Sequence, residues 1–394
     1  MKRVDLSLQP EIERKLTIES VVAELEASLN LLEGPLLRFV FFDLGSQKTS
    51  YLLIVIHDLV VDGISWRILL EDLQTAYQQI SQAQVIHLPQ SSTSYIQWTQ
   101  SLQEYAQSSE IMREQDYWLQ EMQKSFSRLP VDYSTDDNTA ANTDIVSVSL
   151  SKEETKSVLE EIHKAYNTQI QDVLLIALVD AFATWTGERK LRLDIRGNGR
   201  NKIFKNVNLS RTVGSFTTYF PVIFDIAKSS DLGETSIAVK EYLRNIPNSG
   251  IGYGILQYLS SEQEIQSKLQ NLPQSEVSFN YLGQYDQMIS DSSLFRLPET
   301  SQGINYSTPS NRYLLQINAV VVQEHLQLQW VYSNAIHRRE TIEKLANSFI
   351  EVLSSLIAHC QSIEAQRYTP SDFLRAKLNQ QQLDDFLLKI NQNN

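Results

Sequence analysis

Cysteine is almost missing from this chain. One thiol, Cys360, in 394 residues excludes an internal disulfide and a cysteine-ligated metal cluster, and fits a reducing, cytoplasmic setting. Cys360 falls in an apolar helical segment, where a buried and inert thiol is expected. Long hydrophobic runs are absent too. No stretch approaches the roughly 20 apolar residues that cross a bilayer, and the opening MKRVDLSLQPEIERK lacks the apolar core of a signal peptide. Positive charge is scarce: 34 Lys and Arg stand against 47 Asp and Glu, a net charge of −13, which excludes a general nucleic-acid binder. The six histidines show no metal-binding spacing such as His-Glu-x-x-His, so no metal is expected. There is no internal repeat and no low-complexity tract.

What is present is apolar in ordinary proportion, 42% hydrophobic with 21% charged over 394 residues. That length buries a large core and favours two domains or one two-lobed unit. The strongest apolar block, Tyr51 to Ile56, reads as a strand buried on both faces. It runs straight into polar chemistry: His57, Asp58, Asp62 and Gly63. From Ser65, a candidate N-cap, apolar residues recur at helical spacing through Leu69, Leu73, Tyr77 and Ile80. A strand that delivers His and Asp into a glycine turn before a helix is a common way to hold a reactive group.

Around this stretch the spacing predicts a helix over Thr17 to Leu29, strands over Leu36 to Asp43 and Tyr51 to His57 joined by a Gly45-Ser46-Gln47 turn, and helical spacing from Tyr95 to Trp118. Residues 129–144, rich in Asp, Asn, Ser and Thr, offer almost nothing to bury and read as a linker. They divide a first lobe, 1–128, from a second, 145–365, with a tail at 366–394. In the second lobe Ser151 and Glu154 form a capping box, and a buried helix covers Thr168 to Thr186. Strands are expected at Ile145 to Leu150, Lys190 to Ile195, Thr217 to Asp225, Glu276 to Leu282, Leu314 to Val322 and His325 to Tyr332. A long helix follows from Glu340 to about Cys360. Strands and helices mix in both halves, so the class is α/β or α+β. Arg189, Lys190, Arg192, Arg196, Arg200, Lys202, Lys205 and Arg211 form a basic cluster, read either as a solvated face or as contacts for a phosphate or an acidic partner surface.

Four further stretches stand out in order: Asp194 to Asn201 (DIRGNGRN), Arg211 to Pro221 (RTVGSFTTYFP), Pro247 to Gly254 (PNSGIGYG) and Phe279 to Gln284 (FNYLGQ). With Asp62, Gly63, Ser65, Trp66 and the Arg67 to Leu73 helix, they make the chain resemble the epimerization domains of nonribosomal peptide synthetases, a branch of the condensation-domain superfamily. The resemblance runs down to Thr369-Pro370-Ser371-Asp372-Phe373. It implies two chloramphenicol-acetyltransferase-like lobes forming a V with a central tunnel. A peptidyl carrier protein presents an aminoacyl or peptidyl thioester there on its 4′-phosphopantetheine arm, the domain binds no cofactor of its own, and the Cα proton is removed and returned on the other face. Neighbouring synthetase modules are the implied partners, with no nucleic acid and no membrane.

Inversion at Cα needs two proton-transfer groups and donors for the developing oxyanion. In the family these roles fall to the second His of His-His-x-x-x-Asp-Gly, to the Glu of Glu-Gly-His-Gly-Arg, and to the Asn-Tyr of Phe-Asn-Tyr. Carried over by position, the second His is Asp58, the Glu is Arg196 and the later His is Asn198, whereas His57, Asp62, Asn280 and Tyr281 remain. An ordinary aspartate titrates about 2.6 units below histidine and is the poorer base for a carbon acid, and a guanidinium cannot act as one. Catalysis is therefore expected to be impaired or lost. An Asp and an Arg in the places of a facing His and Glu are further expected to bridge and latch the site. Ser65, Trp66, Asn198, Arg200, Arg211 and Tyr253 are the positions expected to meet substrate or phosphopantetheine. The family begins with a strand and helix upstream of this sequence, so the first lobe is expected to be incomplete and prone to self-association. A carrier-docking scaffold and a peptide-bond-forming condensation domain are the alternative readings.

Overall fold

The computed structural model describes residues 2–90, 92–135, 138–225, 232–288, 294–296, 312–361, 368–373 and 378–391. By packing, the chain divides into two compact units, one of Met1–Tyr95 with Asn208–Phe216 and one of Ile96–Val207 with Thr217–Asn394. The fold is mixed α/β in both, as expected from the sequence.

The first unit contains β1 (Lys2–Asp5), α1 (Glu11–Ala27), β2 (Leu37–Asp43), β3 (Tyr51–Ile56) and α2 (Gly63–Ser81). Its sheet has the order β1-β2-β3, with β1 parallel and β3 antiparallel to β2. Alternation along β2 puts Val40 and Phe42 inward, where they pack with Leu6, Leu44, and Val21 and Leu25 of α1, flanked by Leu53 and Val55. The other face carries Leu37, Phe39 and Leu52, each exposed. The expectation of a strand buried on both faces therefore fails for β3. It is an edge strand, and a continuous apolar run reads the same whether one face or two are covered. The hairpin turn forms as expected, with Gly45 at φ +87 and its N–H donating to the Asp43 carboxylate at 2.9 Å.

The second unit is built on a six-stranded sheet of order β4-β9-β8-β7-β5-β6. Its strands are β4 (Thr143–Ser149), β5 (Lys190–Gly197), β6 (Thr218–Asp225), β7 (Val277–Gln284), β8 (Leu315–Val322) and β9 (His325–Ser333). Among its helices are α3 (Tyr95–Tyr105, of which Tyr95 belongs to the first unit), α4 (Ser109–Gln123), α5 (Lys152–Tyr166), α6 (Ile170–Thr186) and α7 (Leu232–Arg244). Then come α8 (Ile251–Tyr258), α9 (Gln263–Gln270), α10 (Arg339–Cys360) and α11 (Gln380–Asn391). Register aligns one apolar row across the sheet, Phe220, Ile195, Phe279, Ile317, Trp330 and Val146. At its β9 end, Trp330 packs edge-on to Phe349 of α10 at 5.8 Å and stacks on Phe182 of α6 at 6.5 Å. The strands lie within a few residues of their expected bounds, and the Ser151–Glu154 capping box is present.

These packing units divide the chain differently from the lobes read out of the sequence. Helix spacing over Tyr95 to Trp118 resolves into two helices, because the backbone leaves the helix after Tyr105 and Ser108 caps α4. Both belong to the second unit beyond Tyr95, where Trp118 sits 5.2 Å from the Tyr253 ring and 6.3 Å from that of Phe220. The linker stretch is tied down at several points: Leu129 donates to Glu276, Asp132 accepts from the Arg338 backbone, Asn138 reaches the Tyr313 carbonyl, and β4 begins at Thr143. Polar composition marks it as having little to bury, which is a weaker statement than having nothing to bond.

Candidate functional site

In the first unit the motif residues sit where β3 feeds α2. The His57 backbone closes onto Leu36 at 2.9 Å, and its Nδ1 accepts from the Leu59 N–H at 3.1 Å. The free proton of a neutral His57 ring is thereby placed on Nε2. Asp58 is exposed on the turn. Asp62, not Ser65, is the N-cap of α2: its buried carboxylate accepts from the Ser65 N–H at 2.7 Å. Ser65 points inward instead, fully buried, donating to the Gly214 carbonyl at 2.9 Å and accepting from the Gly214 N–H at 3.0 Å.

That pairing explains the Arg-Thr-Val-Gly stretch. Residues 208–216 return to the first unit and close against α2. Arg211 bridges Glu71 at 3.2 Å and also Asp72, Thr212 donates to the Thr93 carbonyl at 2.6 Å, and Tyr95 donates to the Ser215 carbonyl at 2.8 Å. Gly214 is required because a Cβ there would stand 2.3 Å from the Tyr95 ring. Trp66 is half-buried beside this turn.

In the second unit the motif residues fall on one level of the sheet. Register places Tyr219, Arg196, Asn280, Asn318, Gln329 and Ser147 side by side on β6, β5, β7, β8, β9 and β4. All six are polar-tipped, and they run next to the apolar row on the opposite face. Asn280 and Asn318 are buried and joined by an amide hydrogen bond of 3.3 Å. Arg196 donates to Thr217 at 3.5 Å and lies 5.8 Å from the Tyr219 ring centre. After β5 the chain turns through Asn198, whose side chain accepts from the Arg200 N–H at 3.0 Å, and Gly199 at φ +61.

Tyr281 follows Asn280 and so projects from the other face of β7. Its hydroxyl is buried without a well-formed hydrogen bond, and burial pushes the phenol up to about 12, eased by Gln284. Tyr253 is buried in α8, its phenol also raised to about 12 by burial and then by Asp194. The Pro247 to Gly254 stretch is a strained turn, with Asn248, Ser249 and Gly250 at φ 44, 51 and +86. A Cβ on Gly250 would lie 2.2 Å from Phe220 and one on Gly252 1.9 Å from Glu114. Asn248 in turn donates to the buried Glu114 at 2.6 Å.

The basic cluster does not form one face. Arg189 pairs with Asp180 at 3.9 Å, Lys190 with Asp225 at 3.4 Å and Arg211 with Glu71 and Asp72, while Arg192 is buried. Alternation along a strand and acids brought from distant elements divide a run that looked continuous. The residues sequence reasoning missed are Asn318 and Gln329. Their signal was a polar residue at every second position of otherwise buried strands, LQINAVVV and HLQLQWVYS. Among the described residues no group of three or more His, Cys, Asp or Glu is arranged to hold a metal ion, and no helix is long and apolar enough to cross a membrane. Burial raises the Cys360 thiol to about 11.

A mixed α/β protein with a polar row across its larger sheet and a capped His-Asp turn beside its smaller one is the class these observations define. The family model for the condensation domain matches residues 1–379, and the chain belongs to that family. It is 43% identical over 98% of its length to a linear gramicidin synthase polypeptide of Brevibacillus parabrevis, and 37% identical over 92% to gramicidin S synthase 1 of Brevibacillus brevis. It spans 5% and 34% of the lengths of those two relatives. Among solved structures, the epimerization domain from the third module of tyrocidine synthetase B superposes with a TM-score of 0.81 at 35% identity, covering 91% of this chain and 80% of that one.

Proposed function

We propose that this chain is an epimerization-type domain of a nonribosomal peptide synthetase that binds an aminoacyl or peptidyl thioester carried on the phosphopantetheine arm of a carrier protein, with its Cα inversion impaired or lost. The single observation that carries the reading is the likeness to the tyrocidine synthetase epimerization domain over 91% of the chain. The ordered motifs support it.

The roles follow from chemistry. Asp58 is the one side chain at the His-motif position able to accept a proton, and a carboxylate is weakly basic for a carbon acid. Arg196 cannot remove a proton but can stabilise negative charge. Asn280 offers an amide for substrate contact, and Tyr281 a phenol that stays protonated at neutral pH. His57 and Asp62 shape the turn. Ser65, Trp66, Asn198, Arg200, Arg211 and Tyr253 complete the proposed set for the substrate arm, Ser65 and Arg211 through the bonds that hold α2.

The test is a carrier loaded with an L-aminoacyl thioester, followed by solvent deuterium uptake at Cα and by chiral analysis of the released acid. The native chain is expected to bind the loaded carrier and to exchange slowly. Asp58→His with Arg196→Glu is expected to raise exchange by about 10²-fold or more, the scale of a positioned acid–base pair. Binding without gain in the double variant favours a carrier-docking scaffold. Amide formation with an acceptor thioester would favour a condensation role. Inversion by the native chain at the rate of the double variant would overturn the loss of catalysis.

A further inference from the structure

Arg192 is the buried cation that the proposed function does not use. It stands on β5 with Asp194 and Arg196 on the same face, four residues before Arg196 and thus about 13 Å along the strand from it. It is 5% exposed. Its Nε donates to Ser275 at 3.3 Å, its Nη2 approaches the Met122 sulfur at 3.7 Å, and the guanidinium lies 4.8 Å from the Phe126 ring centre. Its Nη1 is buried with no hydrogen-bond partner. A buried donor left unmade is costly, more so when it is charged.

The compensating acid is already shared. Ser275 relays from Arg192 to Asp194 at 2.6 Å, but that carboxylate also accepts from Tyr313 at 2.7 Å and from Arg312 at 3.4 Å. The environment fits an undercompensated cation: burial lowers the Arg192 guanidinium below its ordinary value, with Asp194 opposing. Arg192 also lines a cleft open to solvent, enclosing about 360 Å³, with Phe126, Arg128, Lys190, Glu188 and Glu276 among its walls. The acids there are not equal opponents, because Glu276 already accepts from the Leu129 N–H at 2.7 Å. Arg128 is exposed, and Lys190 is half-exposed and reaches Asp225 and Ser125.

We propose that this cleft is a binding site for a small oxyanion, a phosphate or carboxylate group, seated on the orphaned N–H of Arg192 with Arg128 and Lys190 at its rim. A planar guanidinium with an unused donor suits a flat or tetrahedral oxyanion better than a spherical halide. The site lies wholly in the second unit and is independent of the epimerization reading.

The experiment is isothermal titration of the full chain with methyl phosphate and, separately, with acetate, against chloride at constant ionic strength. Saturable binding with a dissociation constant of about 1–10 mM is expected, a few kcal/mol of affinity. Arg192→Met should weaken it at least tenfold, with folding checked by circular dichroism. Because that variant removes a buried side chain, Arg128→Gln with Lys190→Gln serves as the second probe. It leaves the core alone and should weaken binding several-fold while flattening its salt dependence. Methyl phosphate preferred over acetate identifies a phosphate monoester as the ligand class, and parity identifies a carboxylate. No saturation up to 100-fold the expected constant, or unchanged affinity in both variants, would overturn the site.

Discussion

The two units use their motif residues in opposite ways. In the first, Asp62, Ser65 and Arg211 are consumed by the scaffold: one caps α2, one locks Gly214 and one clamps Glu71 and Asp72. In the second, Arg196 and Asn280 stand in a polar row with Asn318 and Gln329 across the sheet. Motif matches in the first unit therefore report architecture, and those in the second report a surface on which chemistry can change while the strands stay in place. This accounts for the retention of Asp62, Gly63 and Ser65 in a chain where Arg196 and Asn198 depart from the family's pattern. A substitution in the row costs little folding energy, whereas one at the cap or the lock costs a unit.

The largest test of this difference is Ser65→Ala. It leaves both the N–H and the carbonyl of buried Gly214 without their partner, a loss of about 3 kcal/mol, read as a lower urea midpoint with exchange protection lost first in α2. An unchanged midpoint would break the comparison. Asn318→Leu should cost about 2 kcal/mol by orphaning the Asn280 amide, and it should also weaken binding of a carrier-borne thioester, which Ser65→Ala affects only through unfolding. Asp62→Ala should cost about 1 kcal/mol through the lost cap, and Asp62→Asn should restore most of it, because the cap needs an acceptor and not a charge.

Much of this was legible in the residues. Alternation and capping gave the strands and the Ser151 box, because period 2 and period 3.6 are set by local geometry. What stayed hidden was long-range. Nothing local says that Ser65 bonds Gly214, 149 residues away, so Ser65 read as a cap when Asp62 had the better geometry. Nor does a polar residue inside LQINAVVV announce that its register neighbour is Asn280. The exposed face of β3 escaped for a related reason: apolar side chains do not say what covers them.

The smallest test separates the units by pH. His337, fully buried after β9, has neither ring nitrogen hydrogen-bonded; it lies edge-on to Trp185 at 6.0 Å and 4.0 Å from Asp132. Burial lowers its pKa below the ordinary 6.5, with Asp132 opposing. Between the lowered folded value and the unfolded one the unfolded chain binds more protons, so stability rises with pH in that window. The contribution is complete above about 6.5 and is lost as pH falls toward the folded value, by no more than about 0.8 kcal/mol at pH 6. Mild acidification should therefore loosen α10 and the 129–135 segment, both in the second unit, before α2. Hydrogen exchange at pH 6 and 7.5 reads this order directly, and His337→Phe, which keeps the ring against Trp185 and removes the titrating group, should erase it. If α2 loosens first in both proteins, the pH response belongs to the capped turn of the first unit and not to the buried imidazole.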